Sequence, residues 1–518
     1  MFAALIEKLA LFHLFSITSL ILFTIFLYKW QLLLNVKCNK KDLNLPPSPP
    51  RLPIIGNLHQ LGKLPHRSLR SLSQKYGDYM LLYLGNRPTL VVSSSTAAEQ
   101  IMKTHDLVFA NRPNLRFISK IFYDGNDVAF SSYGEKWRHR KSICVTEILN
   151  NKRVQSYRSI RQEEVGCLIE TIKRSSGEII NLSKIFTMLF KGITCRTALG
   201  KRYDNGDDFY MLFKELVKLM GEVSVGDYVP FLGWVDRLTG LEGRVEIVRK
   251  RFDKFIEEVI QEHQIRVNIT RYNEDEKVKN VKDFVDVLLE IQQGDPEELS
   301  TVSIKALILD IFAGGTETTS TTIEWAMTEL IRHPRIMMKV QREVRSIVKA
   351  NTRVIEDDLE NLEYLKAVIK ETLRLHPPAP LLVFRESSEN VKIENYDISA
   401  RTQVIINAWA IQLDPKSWQD PEAFIPERFF NNASSVDFKG QHFQFIPFGA
   451  GRRGCPGIAF GIVNAELVLA SLVYEFNWML PNGREGDTLD VDECVGITVG
   501  RRNPLMVIAT PNLPLPCY

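Results

Sequence analysis

Apolar residues recur at helical spacing along most of the chain. The clearest example covers residues 303–333, where Ile304, Leu307 and Ile308 fall on one face of a 3.6-residue repeat. A second helical pattern covers 357–375 and stops at the His-Pro-Pro sequence that follows it. These patterns predict a protein built largely from helices.

Strand-like runs are short by comparison. Compact apolar stretches rich in β-formers occur at 80–84, 89–92 and 404–407. We find no internal repeat, and the most polar stretch, 268–282, is predicted to be a surface loop. The expected fold class is therefore mainly α with a smaller β portion, most of it in one large domain.

The N-terminal region contains a long apolar run without a formal charge, residues 9–27. As a helix it would rise about 28 Å at ~1.5 Å per residue, close to the ~30 Å hydrocarbon core of a bilayer. Lysines follow the run, whereas the charges before it cancel, so the positive-inside rule places the rest of the chain in the cytosol. We expect a short lumenal N-terminus at 1–8, a transmembrane anchor at 9–27, a basic and proline-rich linker at 28–57 and a cytosolic domain at 58–518.

A cleavable signal peptide is the alternative interpretation of this run. Its apolar core would be shorter, ~7–15 residues, and would end in small residues. Three sequences fit the N-glycosylation pattern, at Asn181, Asn268 and Asn432. A cytosolic domain predicts that none of them carries sugar.

Composition excludes several classes of protein. The 518 residues carry 65 Lys and Arg against 62 Asp and Glu, a net charge of +3, and 45% of them are hydrophobic. These values exclude a disordered chain and give no reason to expect a nucleic-acid partner. The seven cysteines are too few, and odd in number, for a disulfide scaffold. A single cysteine is therefore a candidate for chemistry.

Cys455 is that candidate, because it lies in the glycine-rich sequence PFGAGRRGCPG just before an apolar helical pattern that begins at Ile458. A cysteine in this position faces free backbone N–H groups and the positive end of the helix dipole, which both favour the thiolate. Arg452 and Arg453 supply donors for carboxylates. An unreactive cysteine in a turn is the alternative, but the combined spacing favours a thiolate ligand to a metal.

The spacing of Phe448, Gly451, Arg453, Cys455 and Gly457 resembles the haem-binding loop of the cytochrome P-450 family, F-x-x-G-x-R-x-C-x-G, and in its details the plant A-type members. The resemblance implies the cytochrome P-450 fold, a single large haem domain behind one N-terminal transmembrane helix. It also implies haem b as cofactor, with Cys455 as the axial ligand of the iron. A thiolate in that position favours cleavage of the O–O bond.

A second stretch with chemical potential lies in the middle of the longest helical pattern. Residues 313–319 read AGGTETT, and two glycines inside a helix cost about 1 kcal/mol each relative to alanine. They indicate a close approach of a flat ligand or a kink. Glu317 and Thr318 place a carboxyl group beside a hydroxyl, which suits proton relay. A threonine-rich helix with a solvent-facing Glu is the alternative, but the stretch resembles the family's oxygen-activation motif and implies catalytic roles for both residues.

Glu371 and Arg374 are spaced three residues apart on one predicted helix. Alone, such a pair is unremarkable, but it resembles the family's E-x-x-R motif, and the sequence PERF at 426–429 resembles the segment that completes it. The resemblance implies that Glu371, Arg374 and Arg428 form a buried ion triad. We expect its role to be structural rather than catalytic.

The sequence WRHRK at 137–141 resembles the family's W-R-x-x-R segment, in which Trp and the last Arg reach a haem propionate. Lys141 stands at that last position and lacks the planar fork of Arg, so the resemblance does not assign it the propionate role. The expected cofactor-binding residues are Trp137, Arg385, Arg453 and Phe448 together with Cys455.

Arg138 and Arg140 allow two interpretations. They either contribute to a basic surface that receives an acidic electron-donor protein or form a solvated charge run.

The resemblance implies a haem-thiolate monooxygenase of the endoplasmic reticulum membrane. Electrons would come from NADPH through a reductase, and the substrates would be O2 and a lipophilic plant metabolite. The expected substrate is a polycyclic alkaloid such as an indole alkaloid, or a terpenoid. The expected reaction is hydroxylation, desaturation or oxidative ring closure. A coumarin-type phenolic is the alternative substrate. The segments expected to line its pocket are 116–122, 226–234, 308–318, 381–384 and 496–498.

Two other classes remain open at this stage. An O2-independent haem-thiolate isomerase or dehydratase is one, and a non-catalytic, membrane-tethered haem-binding sensor is the other. The Glu317–Thr318 pair disfavours both, since neither needs a proton relay to oxygen.

Overall fold

The structure is a computed structural model that describes residues 13, 15–29, 43–203, 207–272, 281–294, 299–348, 353–430 and 435–512. Within these residues the helices are α1 (Phe15–Lys29), α2 (Pro65–Tyr76), α3 (Ser95–Glu99), α4 (Arg116–Ile121), α5 (Glu135–Ile143), α6 (Asn151–Ser156), α7 (Arg158–Arg174), α8 (Leu182–Leu199), α9 (Asp207–Gly221), α10 (Val225–Tyr228), α11 (Val235–Leu238), α12 (Leu241–Tyr272), α13 (Phe284–Gly294), α14 (Thr301–Gly315), α15 (Glu317–Arg332), α16 (Pro334–Ile347), α17 (Glu363–Leu375), α18 (Ala408–Gln412) and α19 (Ile458–Glu475).

The strands of the described residues are β1 (Tyr79–Leu84), β2 (Arg87–Val92), β3 (Ile179–Asn181), β4 (Arg385–Glu386), β5 (Val391–Ile393), β6 (Tyr396–Ile398), β7 (Gln403–Ile406), β8 (Phe476–Met479) and β9 (Met506–Pro511). They form three small sheets, with the orders β1-β2-β7-β4, β3-β9-β8 and β5-β6. In the largest sheet β2 and β7 are parallel and the other pairs antiparallel. The predicted class, mainly α with a smaller β portion, is confirmed.

The core that positions the site is helical. Helix α19 is buried along much of its length and packs against α7, α15, α16 and α17. Its apolar residues, such as Leu467 and Val468, are fully enclosed and join one large cluster with Phe186 of α8 and Leu365 of α17. Because burying an apolar side chain of this size contributes about 1.5–3 kcal/mol, this cluster holds the surrounding helices in a fixed arrangement.

Two helices of the described residues are strongly apolar along their length. Helix α19 is long and apolar enough to cross a membrane, but more than half of it is buried in the core. Helix α1 is shorter and its large apolar side chains are exposed. The predicted run at 9–27 is helical where the structure describes it, from residue 15, and the helix continues to Lys29; residues 1–12, 14 and 30–42 lie outside the described part of the chain.

Several predicted boundaries were wrong. The single helix expected over 303–333 is two helices, because Thr316 leaves the helical ladder between α14 and α15. The helix expected from 357 begins at Glu363, since a 3-10 turn precedes it and Leu362 adopts a non-helical φ/ψ. The loop expected over 268–282 is helical up to Tyr272, where α12 ends; residues 273–280 lie outside the described part.

Candidate functional site

The loop before α19 wraps closely around Cys455. Gly449 and Gly451 both have positive φ, 69° and 66°, and a Cβ on Gly451 would lie 2.2 Å from the carbonyl oxygen of Met102. Only glycine fits there. The loop closes on itself because Cys455 N donates to Phe448 O at 3.0 Å. The helix begins at Ile458 as predicted, and the cysteine lies in the turn ahead of it.

The Cys455 sulfur is held next to backbone and cationic donors. Gly457 N donates to Cys455 Sγ at 3.3 Å. The side chain is accessible, yet it lies deep among protein atoms, and this desolvation raises the pKa of the thiol; the Gly457 N–H and the Lys141 ammonium act in the opposite direction. A metal cation is the natural counter-charge for a thiolate in such surroundings.

Helices α14 and α15 meet at a break beside open space. Thr316 is buried and its hydroxyl lies 3.3 Å from that of Thr194 on α8. Thr318 Oγ1 donates to Gly314 O at 2.6 Å. A Cβ placed on Gly314 would meet no atom within 4 Å, so the backbone there borders a space that a flat group can approach.

Glu317 lies at the first position of α15, directly after this break. Its side chain is half-buried, and burial raises the pKa of its carboxyl to about 7. A carboxyl group with that pKa exchanges a proton readily near neutral pH. A carboxyl group whose pKa is raised toward neutrality thus directly precedes Thr318 in the chain.

Helix α15 is packed against the helix that follows Cys455. Thr319 Oγ1 lies 3.9 Å from the position that a Cβ on Gly461 would occupy. The small residue allows α15 and α19 to approach closely. The fold thus brings the two stretches singled out in the sequence, 313–319 and 447–457, into one region.

A cluster of buried arginines lies on another side of the cysteine loop. Arg453 donates to three carbonyl oxygens, those of Ala110 at 2.6 Å, Val128 at 3.2 Å and Ser131 at 2.6 Å. Its guanidinium carbon lies 4.1 Å above the centre of the Trp137 ring, an attractive cation–π contact.

Three predicted cofactor-binding residues, Trp137, Arg385 and Phe448, make further contacts around the cysteine loop. Trp137 Nε1 donates to Val128 O at 3.0 Å. Arg385, on β4, donates to Asp106 Oδ1 at 3.1 Å and to Ala450 O at 2.8 Å. Phe448 packs edge-on against Phe438, with ring centres 5.4 Å apart, and so buttresses the loop from the outside.

Arg112 belongs to the same cluster and was missed by sequence reasoning. It is buried and donates to Ala129 O at 2.9 Å, Val383 O at 2.7 Å and Phe384 O at 2.8 Å. Burial and the neighbouring Arg453 and Arg385 hold its pKa well below the ordinary value. No spacing marks this residue in the sequence; only the folded chain brings it to Arg453.

The donor set of the cluster fits a ligand with carboxylates. Burial and the positive charge of the neighbouring Arg385 lower the pKa of Arg453 to about 9, because few carboxylates lie close enough to offset them. The nearby carboxyl groups are Asp106 and Asp127, and burial raises the pKa of Asp127 to about 6. Three buried guanidiniums therefore lack a full set of counter-charges, which the two propionates of a haem would supply.

The charged residues of α5 divide into three environments. Lys141 Nζ donates to Gly454 O at 2.6 Å and so ties the helix to the cysteine loop. Arg138 is exposed. Arg140 is buried, with Nη2 donating to Gly125 O at 2.8 Å. The expectation that Arg138 and Arg140 share a solvated or docking surface was wrong for Arg140.

Glu371, Arg374 and Arg428 are in contact. Arg374 Nε and Nη2 donate to the two oxygens of Glu371, both at 2.8 Å, and Arg428 Nε donates to Glu371 Oε1 at 3.3 Å. Neither Glu371 nor Arg374 is exposed to solvent. Arg374 also donates to the carbonyl oxygens of Gln412, Pro421 and Ala423, at 3.0, 2.7 and 3.1 Å.

The accessible cysteine, the buried arginines and the broken, acid-bearing helix together fit a haem-thiolate protein. The comparisons with known proteins specify the family. The Cytochrome P450 family profile matches residues 46–505. The chain belongs to the cytochrome P450 family and is a monooxygenase with a haem-thiolate cofactor.

Similar proteins come from several plants. Cytochrome P450 71A1 of Persea americana is 53% identical over 466 residues, which cover 88% of this chain and 92% of that protein. Cytochrome P450 736A117 of Prunus mume is 48% identical and covers 96% of both chains. Psoralen synthase of Ammi majus is 47% identical, over 96% of this chain and 97% of its own.

Among solved structures, a zebra fish cytochrome P450 with abiraterone superposes with a TM-score of 0.73 at 25% identity, over 87% of this chain and all of that one. The predicted family and fold are confirmed.

Proposed function

We propose that Cys455 is the axial ligand of the haem and that the enzyme oxidises a lipophilic, ring-containing plant metabolite. The observation that carries the ligand assignment is the accessible Cys455 sulfur, which a backbone N–H of Gly457 contacts at 3.3 Å beside Lys141. Cys455 would hold a haem there, and such a group would supply the iron chemistry needed to activate O2.

The arginine cluster supports a defined orientation of the haem. Arg112, Arg385 and Arg453 would pair with its propionates, and their carbonyl contacts hold the three guanidiniums in place. Trp137 supports Arg453 from below its guanidinium plane. The open space beside Gly314 would leave room for a flat ring system to approach the backbone of this helix.

Glu317 and Thr318 would deliver protons during the reaction. The Thr318 hydroxyl donates its own hydrogen to Gly314 O, so its oxygen lone pairs remain free to accept a hydrogen bond from the cavity side. Glu317 would hold the exchangeable proton, because its carboxyl is half-neutral near pH 7.

Replacing Thr318 with Ala is expected to divert electrons away from product. Without the hydroxyl, the product formed per NADPH should fall by roughly tenfold or more, while hydrogen peroxide rises. Thr318→Ser keeps the hydroxyl and is the matched control, with a yield close to that of the unaltered enzyme. Equal product yield in the Ala variant would remove Thr318 from proton delivery.

The pH profile of the coupling efficiency is expected to report Glu317. A carboxyl with a pKa of about 7 is protonated below that pH and ionised above it, so its capacity to donate a proton falls as pH rises through about 7. Product per NADPH should fall in the same window. Glu317→Gln should show a low, flat profile, whereas Glu317→Asp should retain the slope; a Gln variant with the full slope would contradict the assignment.

The membrane arrangement proposed for the chain follows from α1. Its exposed apolar side chains favour insertion into a bilayer, with a short lumenal segment at 1–8, the anchor at 9–27, the linker at 28–57 and the catalytic domain at 58–518 in the cytosol. We propose that the protein lies in the endoplasmic reticulum membrane, where an NADPH-dependent reductase would supply its electrons.

The substrate we favour is a polycyclic alkaloid or a terpenoid. Two of the segments predicted to line the pocket, 116–122 and 226–234, are in contact, because Arg116 N donates to Asp227 Oδ1 at 2.9 Å. Phe117, Phe122 and Phe312 belong to one apolar cluster, which suits a bulky, lipophilic ring system. In segment 226–234, by contrast, Phe231 and Trp234 are exposed and do not line an enclosed pocket.

A coumarin-type phenolic is the second candidate, favoured by the similarity to psoralen synthase. Microsomes containing the full chain and its reductase, supplied with NADPH, would be given indole alkaloids, terpenoids and coumarins in parallel. Mass spectrometry distinguishes the gain of one oxygen from the loss of two hydrogens. Turnover of an alkaloid or terpenoid supports the first proposal, and turnover of coumarins alone supports the second.

A further inference from the structure

Residues 125–131 connect α4 to α5 and support the arginine cluster with their carbonyl groups. Val128 O accepts from both Trp137 Nε1 and Arg453 Nη1. Ser131 O accepts from Arg453 Nη2, and Ala129 O accepts from Arg112 Nε. The directions of these guanidiniums therefore depend on how segment 125–131 is held.

Two carboxyl groups hold the N–H groups of the same segment. Val128 N donates to Asp310 Oδ2 at 2.6 Å, and Phe130 N donates to Asp127 Oδ2 at 2.5 Å. Asp127 lies within the segment, whereas Asp310 comes from α14. Asp310 therefore ties segment 125–131 to the helix that leads to Glu317.

The second oxygen of Asp310 is buried and has no hydrogen-bond partner among the described residues. The neighbouring charges are the carboxyl of Asp127 and the guanidinium of Arg140, whose Nε is also buried without a partner. Burial and Asp127 raise the pKa of Asp310 well above the ordinary value. A neutral acid in this position still accepts the Val128 N–H, so the contact does not require a negative charge.

We propose that Asp310 is a positioning residue that, through the Val128 N–H, fixes segment 125–131 and thereby aims the arginine cluster at the haem carboxylates. The inference rests on the haem-binding role proposed above for that cluster. It assigns Asp310 no contact with the haem; its effect passes through the backbone N–H groups of segment 125–131, that of Val128 first and that of Ala129 beside it.

The test compares Asp310→Ala with Asp310→Asn in the full-chain holoprotein in detergent micelles. Alanine leaves the buried Val128 N–H without an acceptor, whereas asparagine keeps a carbonyl oxygen at the same place. Haem loss, followed by transfer to excess apomyoglobin, should be about tenfold faster in the Ala variant and should stay within roughly twofold of the unaltered protein in the Asn variant. The resonance Raman bands of the haem propionates should shift only in the Ala variant.

Lys305→Ala is the control on the same helix. Lys305 pairs with Asp253 at 2.9 Å and Glu257 at 2.8 Å, and neither carboxyl belongs to segment 125–131, so its loss should leave the rate of haem loss and the propionate bands unchanged. Asp310→Leu, close in size to Asn but apolar, serves if the Ala variant yields no holoprotein. The proposal is supported if Asp310→Ala and Asp310→Leu lose haem rapidly or fail to retain it, while Asp310→Asn and Lys305→Ala retain haem normally.

Two results would overturn it. Equal rates of haem loss in the Ala, Leu and unaltered proteins would show that the Val128 contact orients nothing. An Asn variant as defective as Ala would show that the contact needs the charge rather than the acceptor. If the protein without any substitution lacked a thiolate-type spectrum, that result would instead contradict the proposed function.

Discussion

Arg374→Ala should yield almost no haem-loaded protein. The guanidinium is fully buried and makes two hydrogen bonds to Glu371 and three to backbone carbonyls of the segments that lead to the cysteine loop. Its removal leaves the buried Glu371 carboxylate with Arg428 and the Ile425 N–H as its donors, and breaking such a buried pair costs about 3–5 kcal/mol. That is a large share of the ~5–15 kcal/mol that separates folded from unfolded domains.

The measurement is the ratio of haem absorbance to total protein after expression at equal levels. Arg158→Ala is the matched control, because Arg158 forms an ion pair with the exposed Asp357 at 2.8 Å on the surface. It should keep a normal haem content. A normal ratio in Arg374→Ala would contradict the scaffold role of the triad.

Cys455→Ala should abolish activity while leaving the rest of the fold in place. Within the described part of the chain, the hydrogen bond of the Cys455 sulfur is the one from Gly457 N, so the loss of the sulfur should disturb the surrounding contacts little. The loop itself is held by backbone contacts, among them Cys455 N to Phe448 O and Lys141 Nζ to Gly454 O. We expect a soluble domain with weakly bound haem and no monooxygenation.

Cys494→Ala is the control for this prediction. Cys494 is partly buried in the C-terminal region and is another of the free thiols. Its replacement should leave both the haem spectrum and turnover intact. Loss of the spectrum in this variant, with retention in Cys455→Ala, would reverse the assignment.

Spacing in the sequence was enough to locate the residues whose partners lie nearby in the chain. Glu371 and Arg374 share one helical face, and the glycines around Cys455 mark a tight loop whatever packs against it. The two glycines before Thr316 indicated a break in the helix, but they did not predict its position.

Residues that act through distant parts of the chain could not be predicted in this way. Arg112 and Asp310 have no distinctive neighbours in sequence, and each acquires its partners only when the segment 125–131 folds between them. The burial of Arg140 could not be predicted either. A run of charged residues does not reveal that one face of the short helix α5 is buried.

The most direct test of the account is the absorption spectrum of the reduced carbon monoxide complex of the full-length protein, compared with that of Cys455→Ala. Thiolate ligation by Cys455 predicts the red-shifted Soret band of a haem-thiolate complex in the unaltered protein and its complete absence in the variant. Persistence of that band in Cys455→Ala would show that another residue ligates the iron.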